Sequence, residues 1–159
     1  MLAITRLEDP SIVVSLVVIS FILFEWRCYR QEAYILAVNC FGGAVLATGL
    51  KLVFNKTRPQ LWPQLITETT FSYPSGHALG SIVFYGFLAY LLASLHSRRR
   101  RTVTIYGLAS LLISAIGFSR LYLGVHWPTD ITGGYGIGFL WLSVCITILK
   151  LQKLQYQKT

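Results

Sequence analysis

Five stretches of this chain, residues 11–24, 33–50, 77–95, 103–123 and 131–149, are apolar blocks about as long as the roughly 20 residues a helix needs to cross a bilayer. Lipid offers no hydrogen-bond partners, so a segment of this kind has to satisfy its own backbone, and a helix does so. Only Arg120 interrupts the fourth block, near its end. Hydrophobic residues make up 54% of the 159 positions and charged residues 13%, about half the charge of an ordinary soluble domain. No soluble domain fits between the blocks. The longest gap, residues 56–75, contains Pro59, Pro63 and Pro74 and reads as a structured loop across the mouth of the bundle. The expected fold is all-α, a single domain over 1–159 built as an antiparallel integral membrane bundle of five transmembrane helices. Gly42, Gly43, Gly134 and Gly138 are expected at helix contacts, the last two against the helix of His77.

The net charge of +8 raises the possibility of nucleic acid, and residues 98–101, all arginine, are its strongest support. Their position argues against it. They fall in the short turn between the third and fourth blocks, where the excess of Lys and Arg on cytoplasmic loops puts them and where they can touch anionic headgroups. Arg27, Arg30, those four arginines, Lys150, Lys153 and Lys158 share one side; Arg6, Lys51, Lys56, Arg58 and Arg120 share the other. The first side is therefore expected to be cytoplasmic, with the C-terminus, and the loops after the second and fourth blocks face outward. The expected location is the plasma (inner) membrane, multi-pass.

Cys28, Cys40 and Cys145 show neither a disulfide pattern nor metal-ligand spacing. Residues 1–10 lack a basic leader, so a cleavable signal peptide is not expected.

Three polar clusters lie at the outward ends of the last four blocks. Lys51 and Arg58 are seven residues apart, two helical turns, and point the same way if the helix continues to Pro59. Pro74, Ser75, Gly76 and His77 open the third block: proline suits a first helical turn, Ser75 offers a hydroxyl, Gly76 lets a ligand approach the backbone, and the free N–H groups make an anion site. In the third cluster Ser119 and Arg120 are followed by His126 and Asp130. Pro128 is expected to open the fifth helix with Asp130 in its first turn, able to accept the Nδ1 proton of His126. Alone, each cluster has a plain reading as snorkelling cations, a helix cap, or a structural His–Asp pair. Together they place three cations, two histidines, a carboxylate and an N–H-rich helix start on one side of the membrane. That set suits a tetrahedral dianion such as phosphate.

Lys51 with Arg58 and Pro59, then Pro74 through His77, then Ser119, Arg120, His126 and Asp130 fill every position of the three-part signature of the type 2 phosphatidic acid phosphatase superfamily, which the chain resembles from its first block to the end of its fifth. The resemblance implies that His126 attacks phosphorus and carries a phosphohistidine, that Asp130 orients it, and that His77 protonates the leaving group. It implies that Lys51, Arg58, Ser75, the Gly76 amide and Arg120 hold the phosphoryl oxygens, with no metal and no cofactor. Membrane members usually have six spans, and residues 7–10 resemble the outer loop that follows a first span, so the chain is expected to lack the family's first span.

The expected function is dephosphorylation of a membrane lipid phosphate or diphosphate of the phosphatidate, phosphatidylglycerophosphate or isoprenoid type. The expected partners are that lipid and the surrounding membrane, not nucleic acid. Trp62, Phe71 and Tyr73 are candidates for the entrance or for an interfacial aromatic belt. Four rivals remain. A soluble haloperoxidase conflicts with five apolar spans; a serine hydrolase of Ser75, His126 and Asp130 lacks a Gly-x-Ser-x-Gly elbow. A two-metal phosphatase has too few outward carboxylates. A catalytically impaired lipid-binding or structural protein with the same fold is the non-enzyme alternative.

Overall fold

The structure is a computed structural model that describes residues 1–60, 66, 68–96 and 98–156. Trp62, Pro63 and Lys158 lie outside the described residues. A short helix α1 (Leu2–Arg6) precedes α2 (Pro10–Trp26), α3 (Arg30–Phe54), α4 (Gly76–Ser94), α5 (Arg99–Tyr122) and α6 (Pro128–Tyr156). Among the described residues there is no strand. Helices α3 to α6 are each long and apolar enough to cross a membrane, and α2, with 17 residues, is a shorter apolar helix.

Local chemistry sets the boundaries. Pro10 and Pro128 start α2 and α6, where a missing N–H costs nothing. Ser75 caps α4, its Oγ accepting the Ala78 N–H at 3.4 Å. Asn55 ends α3 in the left-handed conformation at φ 47°, its N–H returning to the Lys51 carbonyl. The helix therefore does not reach Pro59, as the spacing of Lys51 and Arg58 required: a residue before proline avoids helical dihedrals, and Asn55 is a residue type that tolerates the left-handed turn. The arginine tract is also not purely a turn, since Arg98 caps α5 and the next three arginines form its first residues.

The bundle is polar inside at one end and apolar outside along its length. Phe41, Leu52, Val103 and Leu140 are all more than 60% exposed on its flanks, as lipid contact favours. Away from the polar end, Leu36, Phe84, Phe87, Leu91, Leu142 and Leu149 form the main core. α6 packs against α4 through glycine: a Cβ on Gly134 would stand 2.9 Å from the Ser75 carbonyl oxygen, and one on Gly138 2.9 Å from that of Leu79. These two glycines thus face the helix of His77, as their spacing predicts. Gly42 lies under Trp141 and Gly43 against Val83. Between these contacts α4 passes through a π-helical stretch, Ile82–Gly86, and the buried Asn39 donates from Nδ2 to the Val83 carbonyl at 2.7 Å. Trp141 donates in turn to the Asn39 carbonyl at 2.9 Å, pinning three helices together.

Candidate active site

A cluster of buried polar side chains lies where α3 and α5 end and α4 and α6 begin. Ser72, Ser75, Ser119, Arg120, His126 and Asp130 are each no more than 4% exposed. Burial of this kind is tolerable only when the groups satisfy one another.

Asp130 organises one half. It stands in the first turn of α6, where the helix dipole favours a negative charge. Its Oδ2 accepts the Trp127 N–H at 2.9 Å and the Ser72 hydroxyl, and lies 3.4 Å from His126 Nδ1. Its Oδ1 pairs with Lys56 Nζ at 2.6 Å. The other His126 nitrogen, Nε2, stands 3.3 Å from Arg58 Nη1. Arginine only donates, so the network assigns Nε2 as the acceptor and puts the imidazole proton on Nδ1, facing Asp130. Burial pushes the His126 pKa down, and the Arg58 and Arg120 charges push it further, outweighing the upward pull of Asp130. Near neutral pH the ring is uncharged, with the Nε2 lone pair turned toward Arg58.

Arg58 and Arg120 organise the other half through one carboxylate. Glu68 pairs through Oε2 with Arg58 Nη2 at 3.7 Å and through Oε1 with Arg120 Nη2. Burial alone would raise the Glu68 pKa, but the Arg120 hydrogen bond and the two guanidinium charges hold it below the ordinary carboxylate value. Arg120 also donates to Thr5 Oγ1 at 3.0 Å. Arg58 is braced by the Thr70 and Val125 carbonyls, each at 2.8 Å, and Lys51 Nζ donates to Thr70 Oγ1 at 2.8 Å. Segment 68–70 therefore gathers the three cations on one stretch of irregular backbone. His77 sits in the first turn of α4, its Nε2 3.6 Å from Asp9 Oδ1. A Cβ added to Gly76 would meet nothing within 4 Å, so the space beside this helix start is open to a ligand. Ser75 is buried, with its N–H bonded to the Asp130 carbonyl at 3.1 Å, which joins the starts of α4 and α6.

Lys51, Arg58, Ser75, Gly76, His77, Arg120, His126 and Asp130, the eight residues expected to act on phosphate, thus lie at one end of the bundle. Lys56, Ser72, Glu68 and Thr70 join them and carry no such signature. Lys56 was legible only as one more outward cation, and Ser72, Glu68 and Thr70 fall in a loop without periodicity. Phe71 lines a cavity of about 430 Å³ together with Lys51, whereas Tyr73 packs edge-on against Phe54 and under Lys56.

The model of the PAP2 superfamily matches residues 31–153. Phosphatidylglycerophosphatase B of Bacillus subtilis is 37% identical over 92 residues, 57% of this chain and 45% of that protein. An undecaprenyl-diphosphatase of Sulfolobus acidocaldarius is 32% identical over 127 residues, 77% of this chain and 57% of that protein. The chain spans about half the length of these curated relatives. The crystal structure of a transmembrane PAP2 type phosphatidylglycerolphosphate phosphatase from Bacillus subtilis superimposes with a TM-score of 0.84 at 30% identity, covering 92% of this chain and 73% of that one. With the signature residues gathered at one end of an apolar helical bundle and the family match extending over most of its length, the chain belongs to the PAP2 superfamily.

Proposed function

We propose that this chain hydrolyses the phosphate ester or diphosphate of a membrane lipid, without metal or cofactor, through a phosphohistidine on His126. The observation that carries this reading is the line Arg58, His126, Asp130: an uncharged ring with its lone pair beside a guanidinium and its proton toward a buried carboxylate. In the first step the Arg58 N–H turns from Nε2 to a phosphoryl oxygen. The freed Nε2 lone pair forms the N–P bond as the P–O bond to the lipid breaks, and His77 passes a proton to the departing oxygen. Lys51, Arg58, Arg120, Ser75 and the Gly76 amide hold the other phosphoryl oxygens as charge shifts onto them. In the second step water attacks phosphorus, His77 takes its proton back, and the N–P bond breaks to release inorganic phosphate.

The names of the relatives, phosphatidylglycerophosphatase B and undecaprenyl-diphosphatase, support a phosphate joined to a long hydrocarbon and leave phosphatidate, phosphatidylglycerophosphate and isoprenoid diphosphates as the substrate classes. The distribution of basic residues supports an outward-facing site in the plasma (inner) membrane with a cytoplasmic C-terminus. A serine nucleophile has less behind it. The hydroxyl beside His126 is that of Ser72, on the Nδ1 side shared with Asp130, while Ser75 Oγ serves as the α4 cap.

The test is turnover of ³²P-labelled dioctanoyl phosphatidate by the purified full chain in EDTA, with acid-labile, base-stable label trapped on the protein. Turnover with label on His126 is the expected result. Tight binding of the lipid phosphate with neither turnover nor label would instead favour the impaired, lipid-binding alternative.

A further inference from the structure

Between α1 and α2 the fold buries a carboxyl group that the chemistry above does not use. Glu8 is 6% exposed, and among the described residues its Oε2 has no hydrogen-bond partner. Gly80 of α4 makes its seat: a Cβ there would overlap Glu8 Oε1 and lie 3.3 Å from the carboxyl carbon. The nearby Tyr85 is already committed, its hydroxyl donating to the Leu7 carbonyl at 2.7 Å. Burial pushes the Glu8 pKa up to about 8, so near neutral pH the carboxyl keeps its proton and can donate.

The surroundings say what it would donate to. Glu8 lines a cavity of about 420 Å³ whose walls are Val14 and Val18 of α2, Phe41 of α3, and Leu79 and Val83 of α4. Val14, Val18 and Phe41 are more than half exposed, so the groove opens on the lipid-facing flank. Through Gly80 and Glu8 it also comes near the active site. Gly80 is three residues, about one turn, along α4 from His77, and Asp9, next in sequence to Glu8, lies 3.6 Å from His77 Nε2. Glu8 is thus the one polar group placed where reaction site and hydrocarbon groove meet, among the residues lining that groove.

We propose that Glu8 reads the junction between phosphate and hydrocarbon, hydrogen-bonding an ester or hydroxyl oxygen a few bonds from the phosphoester while the alkyl chain lies along the α2–α3 groove. It is then a specificity-determining residue that favours glycerolipid phosphates over isoprenoid phosphates. This rests on the phosphatase reading and narrows its substrate class. A glycerolipid oxygen satisfies a buried donor that an isoprenoid chain, all hydrocarbon beyond its phosphoester oxygen, leaves unpaired, and discrimination of this kind is what buried polar groups supply.

The experiment compares kcat/KM for dioctanoylglycerol phosphate and farnesyl phosphate with the full chain in one bicelle composition. Glu8→Leu should lower the glycerolipid-to-isoprenoid ratio about tenfold, the scale of one buried hydrogen bond. Glu8→Gln, which keeps a donor, should restore most of that ratio. Gly80→Ala, which crowds the carboxyl without removing it, should lower the ratio and serves if Glu8→Leu does not fold. A ratio unchanged within twofold, or an equal loss on both substrates, overturns the proposal. If the wild-type chain turns over neither lipid, the phosphatase reading fails separately. The ratio of its affinities for the two phosphonate analogues, wild type against Glu8→Leu, then decides the role of Glu8 in the same way.

Discussion

Arg58 Nη1 stands 3.3 Å from His126 Nε2, so the nitrogen proposed to attack phosphorus is also in hydrogen-bond contact with a cation proposed to hold the phosphoryl oxygens. The same arginine side chain is fixed by the Thr70 and Val125 carbonyls, which keeps it from swinging away with the ligand. Nucleophile and anion seat therefore stand side by side.

His126→Ala is expected to abolish the phosphoenzyme and reduce turnover to background. Asp130→Asn should cost about 10³- to 10⁴-fold in kcat, because an amide in place of the carboxylate no longer fixes the Nδ1–H tautomer. Trapped ³²P and steady-state rates, with a melting curve for each variant, separate lost chemistry from lost fold. A full-sized phosphoenzyme in His126→Ala would remove that residue from the nucleophile role.

Glu68 lies between Arg58 and Arg120, and an incoming phosphate dianion competes with it for the same guanidinium groups. Glu68→Gln should tighten inhibition by inorganic phosphate or vanadate by about tenfold, corresponding to roughly 1.4 kcal/mol. Inhibition constants at fixed ionic strength measure this. Weaker inhibition would mean that Glu68 serves the site by aligning the arginines.

The pH dependence follows from the direction in which His126 is moved. Attack needs the neutral ring, burial and the nearby cations lower its pKa, and so the acid limb of kcat/KM should have its midpoint below the ordinary value of about 6.5. Activity is then retained on moving down through pH 6.5 and lost only at lower pH. Arg58→Gln takes away one of those charges and should move the limb upward while lowering the overall rate. A limb at or above 6.5 in the wild-type chain contradicts this account.

Gly134 and Gly136 stand two residues apart on α6 with opposite surroundings. A methyl group at 134 would press on the Ser75 carbonyl and on Ala78, whereas one at 136 meets nothing within 4 Å. Gly134→Ala should therefore destabilise the bundle by about 1–3 kcal/mol and disturb the Ser75 cap, and Gly136→Ala should be neutral or slightly stabilising. Thermal unfolding in one detergent compares them directly.

Orientation can be tested with a native probe. Cys28 is exposed in the turn between α2 and α3, on the side assigned to the cytoplasm. In intact cells an impermeant thiol reagent should spare Cys28 and label a cysteine introduced at Gln60. The reverse pattern would invert the topology.

Much of the fold was legible in sequence because its determinants are local. Apolar run length sets the helices, proline marks the starts of α2 and α6, and small residues at 134 and 138 announce a close crossing. The site was legible in part for the same reason: Ser75, His77, His126 and Asp130 occupy helix starts or the loop leading into one, where chemistry and local geometry coincide. What escaped is made by non-periodic backbone. Asn55 breaks α3 before Pro59, and that break sends Lys56 toward Asp130. Glu68, Thr70 and Ser72 reach the site from a loop whose path no hydrophobic pattern describes. Thr5 and Asp9 reach it across long sequence separations, and pairwise contacts of that range leave no trace in a single chain.

The hydrogen bond from Asn39 to the Val83 carbonyl has a consequence for how such a bundle tolerates its solvent. An amide buried among hydrocarbon side chains has few alternative partners, so sliding α4 along α3, or turning it by one residue, would strand both groups where water cannot replace them. The bond therefore acts as a detent, setting a preferred axial position for the helix that carries His77. Bilayer thickness and lipid composition can press on the flanks of the bundle, yet the height of His77 relative to Lys51 is indexed from within.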